Sequence, residues 1–335
     1  MKSLLSEVAG GPETLVLRDT PEPVPGSGEI VIHVHACGVN FPDALLIADK
    51  YQIKPPRPFA PGGEVAGVVA AIGEGVANVR VGDRVLAMPG WGGMTQALKV
   101  PAAACSVIPD VMSFEHAAAL MATYGTVHYG LTRRGYLKAG ESLLVLGAAG
   151  GIGLAAVELE RATGARVIAA VSTQEKLDLA LSRGATSGFI YPTGEAARDG
   201  KALSQLFKQH CGKDGVDVIL DPVGDVYAEP ALRSIAWGGR YLVIGFAAGE
   251  IPRIPLNLPL LKGCDIRGVL FGAHALRDPA GALVETRELF ALYERGAIRP
   301  HVSARFGLAD GGRAIAAVAG RRALGKIVVL SDGSP

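Results

Sequence analysis

Residues 142–176 read SLLVLGAAGGIGLAAVELERATGARVIAAVSTQEK, and their order of residue types is strand, glycine turn, helix, strand. LLVL (143–146) is a short apolar run of the kind buried in a parallel sheet. Ala148, Gly150 and Gly153 fill the three fixed places of a G-x-G-x-x-G turn, with alanine in the first. Such small residues let the main chain turn tightly and approach a pyrophosphate. The helix that follows aims its free N–H groups at that anion. RVIAAV (166–171) comes back as a second strand, at the separation of about twenty residues that a βαβ unit needs. A glycine-rich packing turn is the alternative. The flanking strand and helix favour a dinucleotide site.

The residues after the second strand narrow the cofactor. A unit that prefers NAD ends this strand with Asp or Glu, which holds the ribose 2′-hydroxyl. Here Val171 is followed by Ser172, Thr173, Gln174, Glu175 and Lys176, so the acid is missing. Ser172 and Lys176 are suited to a 2′-phosphate through charge-assisted hydrogen bonds. Ser172 and Glu175 also read as a capping box for the next helix, with Lys176 a solvated helix residue. The two roles are compatible, and NADPH is favoured over NADH.

The bulk properties exclude several classes. A chain of 335 residues predicts about two domains. Net charge is +1 without a basic run, so nucleic-acid binding by phosphate neutralisation has no support. The longest apolar run, 143–157, is interrupted by four glycines and is too short to span a membrane. The beginning, MKSLLSEVAGGPETLVL, lacks the apolar core and cleavage site of a signal peptide. Cys37, Cys105, Cys211 and Cys264 are scattered, with no C-x-x-C pair, so a reducing, cytoplasmic setting is expected.

Up to about residue 113 the chain is strand-rich, with segments such as EIVIHVHACGV, EVAGVVAAIG and DRVLAM separated by Gly- and Pro-rich turns. This predicts a compact, barrel-like β domain. Ser113 then reads as the cap of a helix through EHAAALMATYGTVHYGL. Beyond the nucleotide unit, GFIYP, VDVILD and RYLVIGF alternate with helical segments, which argues for a doubly wound parallel sheet. DIRGVLF reads as a strand, LVETRELFALYERGAI as a helix and KIVVL as a closing strand.

Taken together, these segments resemble the medium-chain dehydrogenase/reductase superfamily, and within it the zinc-free, zeta-crystallin-like quinone oxidoreductases. The resemblance is carried by GVNFPD (38–43), APGGEVAGVV (60–69), VGDRV (81–85), GAAGGIGLAA (147–156) and GRRALGKIVVL (320–330). It implies an α/β chain with a GroES-like β-rich catalytic domain at 1–125 and 260–335 and a Rossmann NADP-binding domain at 126–259. It also implies NADPH as cofactor, and a homodimer formed by pairing edge strands of two Rossmann sheets.

Zinc-dependent relatives need a Cys near position 40, a His before the Glu of a G-H-E motif, and a Cys near the central helix. Asn40, Gly63 and Ala122 stand at those places, and none supplies a zinc ligand of the needed kind. His33 and His35 alternate on one strand, more in the manner of a surface pair than a metal site. The short-chain reductase class is excluded because no Tyr-x-x-x-Lys occurs. Without a metal to acidify an alcohol, hydride transfer to an electron-poor acceptor is the easier chemistry. The expected substrate is a small-molecule quinone or an α,β-unsaturated carbonyl. Enoyl-thioester or 2-alkenal reduction is the alternative, and a non-catalytic NADPH-binding role is a third reading.

The resemblance also implies site residues. Tyr51 is the candidate hydroxyl donor to the developing oxyanion, or else a positioning aromatic. Asn40 is assigned to the substrate oxygen or nicotinamide ribose, and Asp43 to a hydrogen-bonding role beside it. Ala149, Gly150, Gly151 and Ile152 fall on the pyrophosphate. Ser172, Lys176, Tyr191 and Arg322 fall on the adenosine phosphate. Thr126, Val269, Leu270 and Phe271 fall at the nicotinamide end, and Gly245 and Phe246 end a strand at the carboxyl edge of the sheet, where ligands of such sheets bind. Trp91, Met121, Tyr124 and His274 are candidate pocket walls.

Overall fold

The computed structural model describes residues 1–331. The chain divides into two compact units. One comprises residues 1–122, 293–295 and the chain from 300 on; the other is Thr123–Leu292 with Gly296–Arg299.

The first unit is built on a seven-stranded sheet. Its strands run in the order Val302–Gly307, Lys326–Leu330, Glu29–Val39, Glu64–Ile72, Arg84–Ala87 and Cys105–Val107, with Ala97–Pro101 also pairing Glu29–Val39. Glu29–Val39 is the organising strand. From Ile32 to Ala36 its residues alternate buried and half-buried, with His33 and His35 on the wetter face. Ile30, Ile32, Val34, Val65, Val85, Ile327 and Val329 make the core beneath it. Gly38 lies so close to the Ala118 carbonyl that a Cβ would come within 1.8 Å of its oxygen.

The second unit is a six-stranded, all-parallel sheet. The strand order is Ser187–Ile190, Arg166–Val171, Ser142–Leu146, Val216–Asp221, Ile235–Val243 and Asp265–Gly268. This is the doubly wound Rossmann order. Ser142–Leu146 is buried along its whole length, as a central parallel strand with helices on both faces must be. The sixth strand corrects the expected boundary at 260. Asp265–Gly268 pairs with Ile235–Val243, so 260–292 belongs to this unit and the return to the first begins at 293.

Local elements differ from the sequence reading in three places. Ser113 does cap a helix, accepting the His116 N–H at 3.2 Å, but only Phe114–Ala117 is regular. Two π-helical turns, Met121–Gly125 and Gly130–Arg134, flank Thr126–Tyr129. The cap of helix Gln174–Arg183 is Thr173, whose hydroxyl accepts the Lys176 N–H, and not Ser172. The DIRGVLF strand stops at Gly268, and Phe271 opens a helix, Phe271–Arg277.

One carboxylate ties the second unit together. Glu158, on the buried face of helix Gly151–Thr163, accepts the Tyr124 hydroxyl, an Arg183 guanidinium N–H and the Arg299 backbone N–H, each at 2.8 Å. Burial, and then the neighbouring carboxylate, hold the Tyr124 hydroxyl well above its ordinary pKa. All four cysteines are free and buried. Among the described residues no helix is long and apolar enough to cross a membrane.

Candidate functional site

The candidate site residues fall into two groups, one in each unit. In the second unit the turn after Ser142–Leu146 is closed by a Gly150 N–H to Gly147 carbonyl bond of 2.9 Å. Helix Gly151–Thr163 starts at Gly150, which offers no side-chain cap. Its first intrahelical bond runs from Leu154 N–H to Gly150 O, so the amides of Gly151, Ile152 and Gly153 have no partner within the helix. A Cβ on Gly153 would lie 2.4 Å from the Gly147 oxygen and 2.5 Å from Ala148 Cα. The helix therefore sits directly on the turn, and the cradle is lined by main chain. Ala149 is buried beside it. This donor set, with the dipole of a 13-residue helix behind it, fits a pyrophosphate.

At the end of the neighbouring strand the Lys176 ammonium donates to Ser172 Oγ at 3.0 Å. The helix cap is supplied by Thr173, which leaves the side chains of Ser172 and Lys176 together on their own account. Tyr191 is placed differently from a surface phosphate ligand. Its N–H continues the ladder to Val171, and its ring packs 4.6 Å from that of Tyr227 in the core.

Thr126 is half-buried at the start of its short helix. Gly245 and Phe246 lie just past Ile235–Val243, where the amides of Ile244 and Gly245 bond the Asp221 carbonyl. The Asp221 carboxylate is buried, accepts Val223 and Gly224 N–H groups and the Tyr241 hydroxyl, and fixes this loop. Val269 extends the sheet by one bond to Val243; Leu270 is exposed and Phe271 buried. Tyr124 is buried, and its hydroxyl donates to Glu158. His274 stacks on Tyr129 at 4.1 Å and contacts the buried Glu285 at 3.2 Å.

In the first unit Asn40 caps helix Phe41–Ile47. Its N–H goes to Asp43 Oδ2 at 2.7 Å, and Asp43 Oδ1 accepts the Gly62 N–H at 2.9 Å. Burial pushes the Asp43 carboxyl up to about 6 despite those two donors. The Asn40 amide is already engaged within the protein. Oδ1 accepts the Lys326 ammonium at 2.6 Å, and Nδ2 faces Glu64 and the Gly38 carbonyl at 3.3 and 3.4 Å. Both ends of the amide therefore have partners within this unit. Tyr51, beyond the helix, packs half-buried against the core, where burial and then Asp43 hold its hydroxyl above the ordinary phenol range. Trp91 is 37% exposed in a loop whose neighbours Gly90, Gly92 and Gly93 bond the 60–63 strip. Met121 is buried, and Arg322 is exposed. Sequence reasoning missed Lys326. A lysine opening an apolar strand was its only signal.

The places that zinc-dependent relatives use for metal ligands hold Asn40, Gly63 and Ala122. The Ala122 N–H bonds Glu64 Oε1 at 2.9 Å. Among the described residues no three His, Cys, Asp or Glu side chains gather to hold a metal. The residues present do not fit a catalytic zinc.

Comparison with known proteins agrees with this architecture. Residues 26–110 match the alcohol dehydrogenase GroES-like domain, and residues 151–286 match a family described as zinc-binding dehydrogenase. A quinone oxidoreductase-like protein 2 homolog of Nematostella vectensis is 38% identical over 307 residues, covering 91% of this chain and 82% of that protein. A mycobacterial protein solved in complex with NADPH superposes with a TM-score of 0.91 at 31% identity, covering 98% of this chain and 100% of that one. Escherichia coli quinone oxidoreductase, also solved with NADPH, gives 0.89 at 27% identity, with coverages of 98% and 100%. With its GroES-like and Rossmann parts in this order and that extent of shared sequence, the chain belongs to the quinone oxidoreductase-like branch of the medium-chain dehydrogenase/reductase superfamily, a family of oxidoreductases.

Proposed function

We propose that this chain is an NADPH-dependent reductase that passes hydride to a quinone or another carbonyl conjugated to a double bond. The observation that carries the reading is the Lys176–Ser172 contact at the end of strand Arg166–Val171, where no carboxylate stands to claim a ribose hydroxyl. The two relatives solved with NADPH support it. The amides around Ala149, Gly150, Gly151 and Ile152 receive the pyrophosphate. Ser172 and Lys176 take the 2′-phosphate, with Arg322 as a further cation. Thr126, Gly245, Phe246, Val269, Leu270 and Phe271 serve the nicotinamide end. Tyr191 acts from the core, by shaping the strand end.

NADPH, when bound, supplies the hydride. Charge then develops on the acceptor oxygen, and a hydrogen-bond donor must meet it. Tyr51 is that donor. Its raised pKa keeps the hydroxyl protonated at neutral pH, so it donates throughout the working range. Asn40 and Asp43 hold the helix that precedes Tyr51 and do not touch the acceptor.

We also propose a homodimer. Asp265–Gly268 ends the six-stranded sheet, and Trp237, Leu256, Leu260 and Leu261 are exposed in the same unit. An open sheet edge and exposed apolar side chains call for a partner. Light scattering that returns a monomer mass rejects it.

NADPH oxidation measured side by side with 1,4-benzoquinone, 9,10-phenanthrenequinone, crotonyl-CoA and 2-alkenals tests the activity. Turnover of a quinone is expected. Turnover of crotonyl-CoA or an alkenal alone moves the assignment to an enoyl or alkenal reductase. Tight NADPH binding with no acceptor reduced defeats the enzymatic reading.

A further inference from the structure

The geometry points to Lys326 as a positioning residue for the reductase chemistry proposed above, acting through Asn40; the inference rests on that reading of the site. Lys326 opens the last strand and is 3% exposed. Its ammonium donates to Asn40 Oδ1 at 2.6 Å, Val39 O at 3.3 Å and Glu64 Oε2 at 3.4 Å. Three N–H donors thus meet three acceptors. Glu64 is fully buried and spends its other oxygen on the Ala122 N–H.

A buried ion pair is a poor source of stability. Stripping water from both charges offsets most of their attraction, and an apolar pair of similar volume packs as well. The role of Lys326 lies in what it orients. Asn40 is held at 2.6 Å on its oxygen side and only at 3.3–3.4 Å on its nitrogen side. The short, charge-assisted bond decides which way the amide faces.

That orientation matters beyond Asn40. The Asn40 N–H holds Asp43, Asp43 holds the Gly62 N–H, and helix Phe41–Ile47 leads into the segment bearing Tyr51. Lys326 reaches this segment from 286 residues away in sequence. Displacing a reacting group by about 1 Å lowers a rate by up to roughly a hundredfold.

The test uses the full chain, with three readouts: thermal midpoint, NADPH affinity by fluorescence titration, and kcat with 9,10-phenanthrenequinone. Lys326→Met is expected to lower kcat roughly tenfold or more and to leave NADPH affinity unchanged, because the pyrophosphate turn, Ser172 and Lys176 lie in the other unit and, among the described residues, the Lys326 side chain bonds only Val39, Asn40 and Glu64. That variant leaves the Glu64 charge without its cation and can unfold, so Lys326→Met/Glu64→Gln is measured beside it. The neutral pair is expected to regain thermal stability while kcat stays low, since the Asn40 oxygen can then turn to the new amide. Recovery of kcat together with the midpoint overturns the proposal, as does an NADPH affinity that falls in step with kcat. Hydrogen exchange gives a readout free of turnover. The Asn40 and Gly62 amides should exchange faster in the double variant, and unchanged protection overturns the proposal. A native chain that binds no NADPH or reduces no acceptor defeats the proposed function instead, and leaves the exchange result to decide the role of Lys326.

Discussion

Replacing Lys176 with alanine is a clean perturbation of cofactor choice. The helix cap at this point uses the Lys176 backbone N–H and the Thr173 hydroxyl, so the side chain can be removed without disturbing it. Alanine is also the best helix former. What is lost is one ammonium, half-buried and already aligned on Ser172 at 3.0 Å. A hydrogen bond to a charged group contributes about 1.5–3 kcal/mol, or roughly ten- to a hundredfold in affinity. Coulomb's law sets a similar scale, with about 1 kcal/mol per unit pair at 4 Å in water and about 4 at an effective dielectric of 20. The NADPH dissociation constant of Lys176→Ala should therefore rise by roughly ten- to a hundredfold, and that for NADH should stay where it is. Titration of both nucleotides by fluorescence, in low and high salt, reads this directly. Added salt should narrow the gap between native and variant for NADPH, since a half-exposed charge is screened. Equal losses for the two nucleotides would refute the 2′-phosphate assignment.

Three further outcomes are expected. Tyr51→Phe should lower kcat/KM by up to about a hundredfold or more, the scale of one oxyanion donor; unchanged turnover removes Tyr51 from the mechanism. Gly153→Ala puts a methyl 2.4 Å from the Gly147 oxygen, so the helix must lift off the turn; NADPH binding should collapse, with about 1–3 kcal/mol of stability lost, and intact binding contradicts the cradle. The Asp43 carboxyl, raised to about 6 from an ordinary 3.8, binds its proton more tightly in the folded chain. Its contribution to stability is full below about 3.8, is lost as pH rises through about 6, and amounts to about 3 kcal/mol. The urea-midpoint advantage of the native chain over Asp43→Asn should accordingly shrink between those pH values, and a widening gap would count against it.

The nucleotide unit was legible because its signals are local. A wholly apolar strand, small residues at fixed spacing and a returning strand are all set by nearest neighbours, and the Ser113 cap is of the same kind. What escaped depends on distant partners. The helix after Ser113 reads as continuous from propensity, but Glu64 holds the Ala122 amide and Glu158 the Tyr124 hydroxyl, and π-helical turns lie there. DIRGVLF has the composition of an independent strand, and only its pairing with Ile235–Val243 assigns it to the nucleotide sheet. Ser172 and Thr173 are equivalent as caps by residue type, and the backbone path alone chooses between them. Asn40 looked available because nothing in its neighbourhood along the chain announces a lysine 286 residues later.

The Glu158 junction bears on how this protein can be cut and recombined. It gathers side chains and backbone from positions 124, 158, 183 and 299, the last of these after the chain has made its brief visit to the first unit. A graft of residues 126–259 would leave behind the hydroxyl at one end, the Arg299 amide at the other and the outermost strand, stranding a desolvated carboxylate with a single guanidinium. The transplantable cassette is longer and discontinuous. It runs from 123 to 299, and a chimera that respects those joints inherits its own clasp.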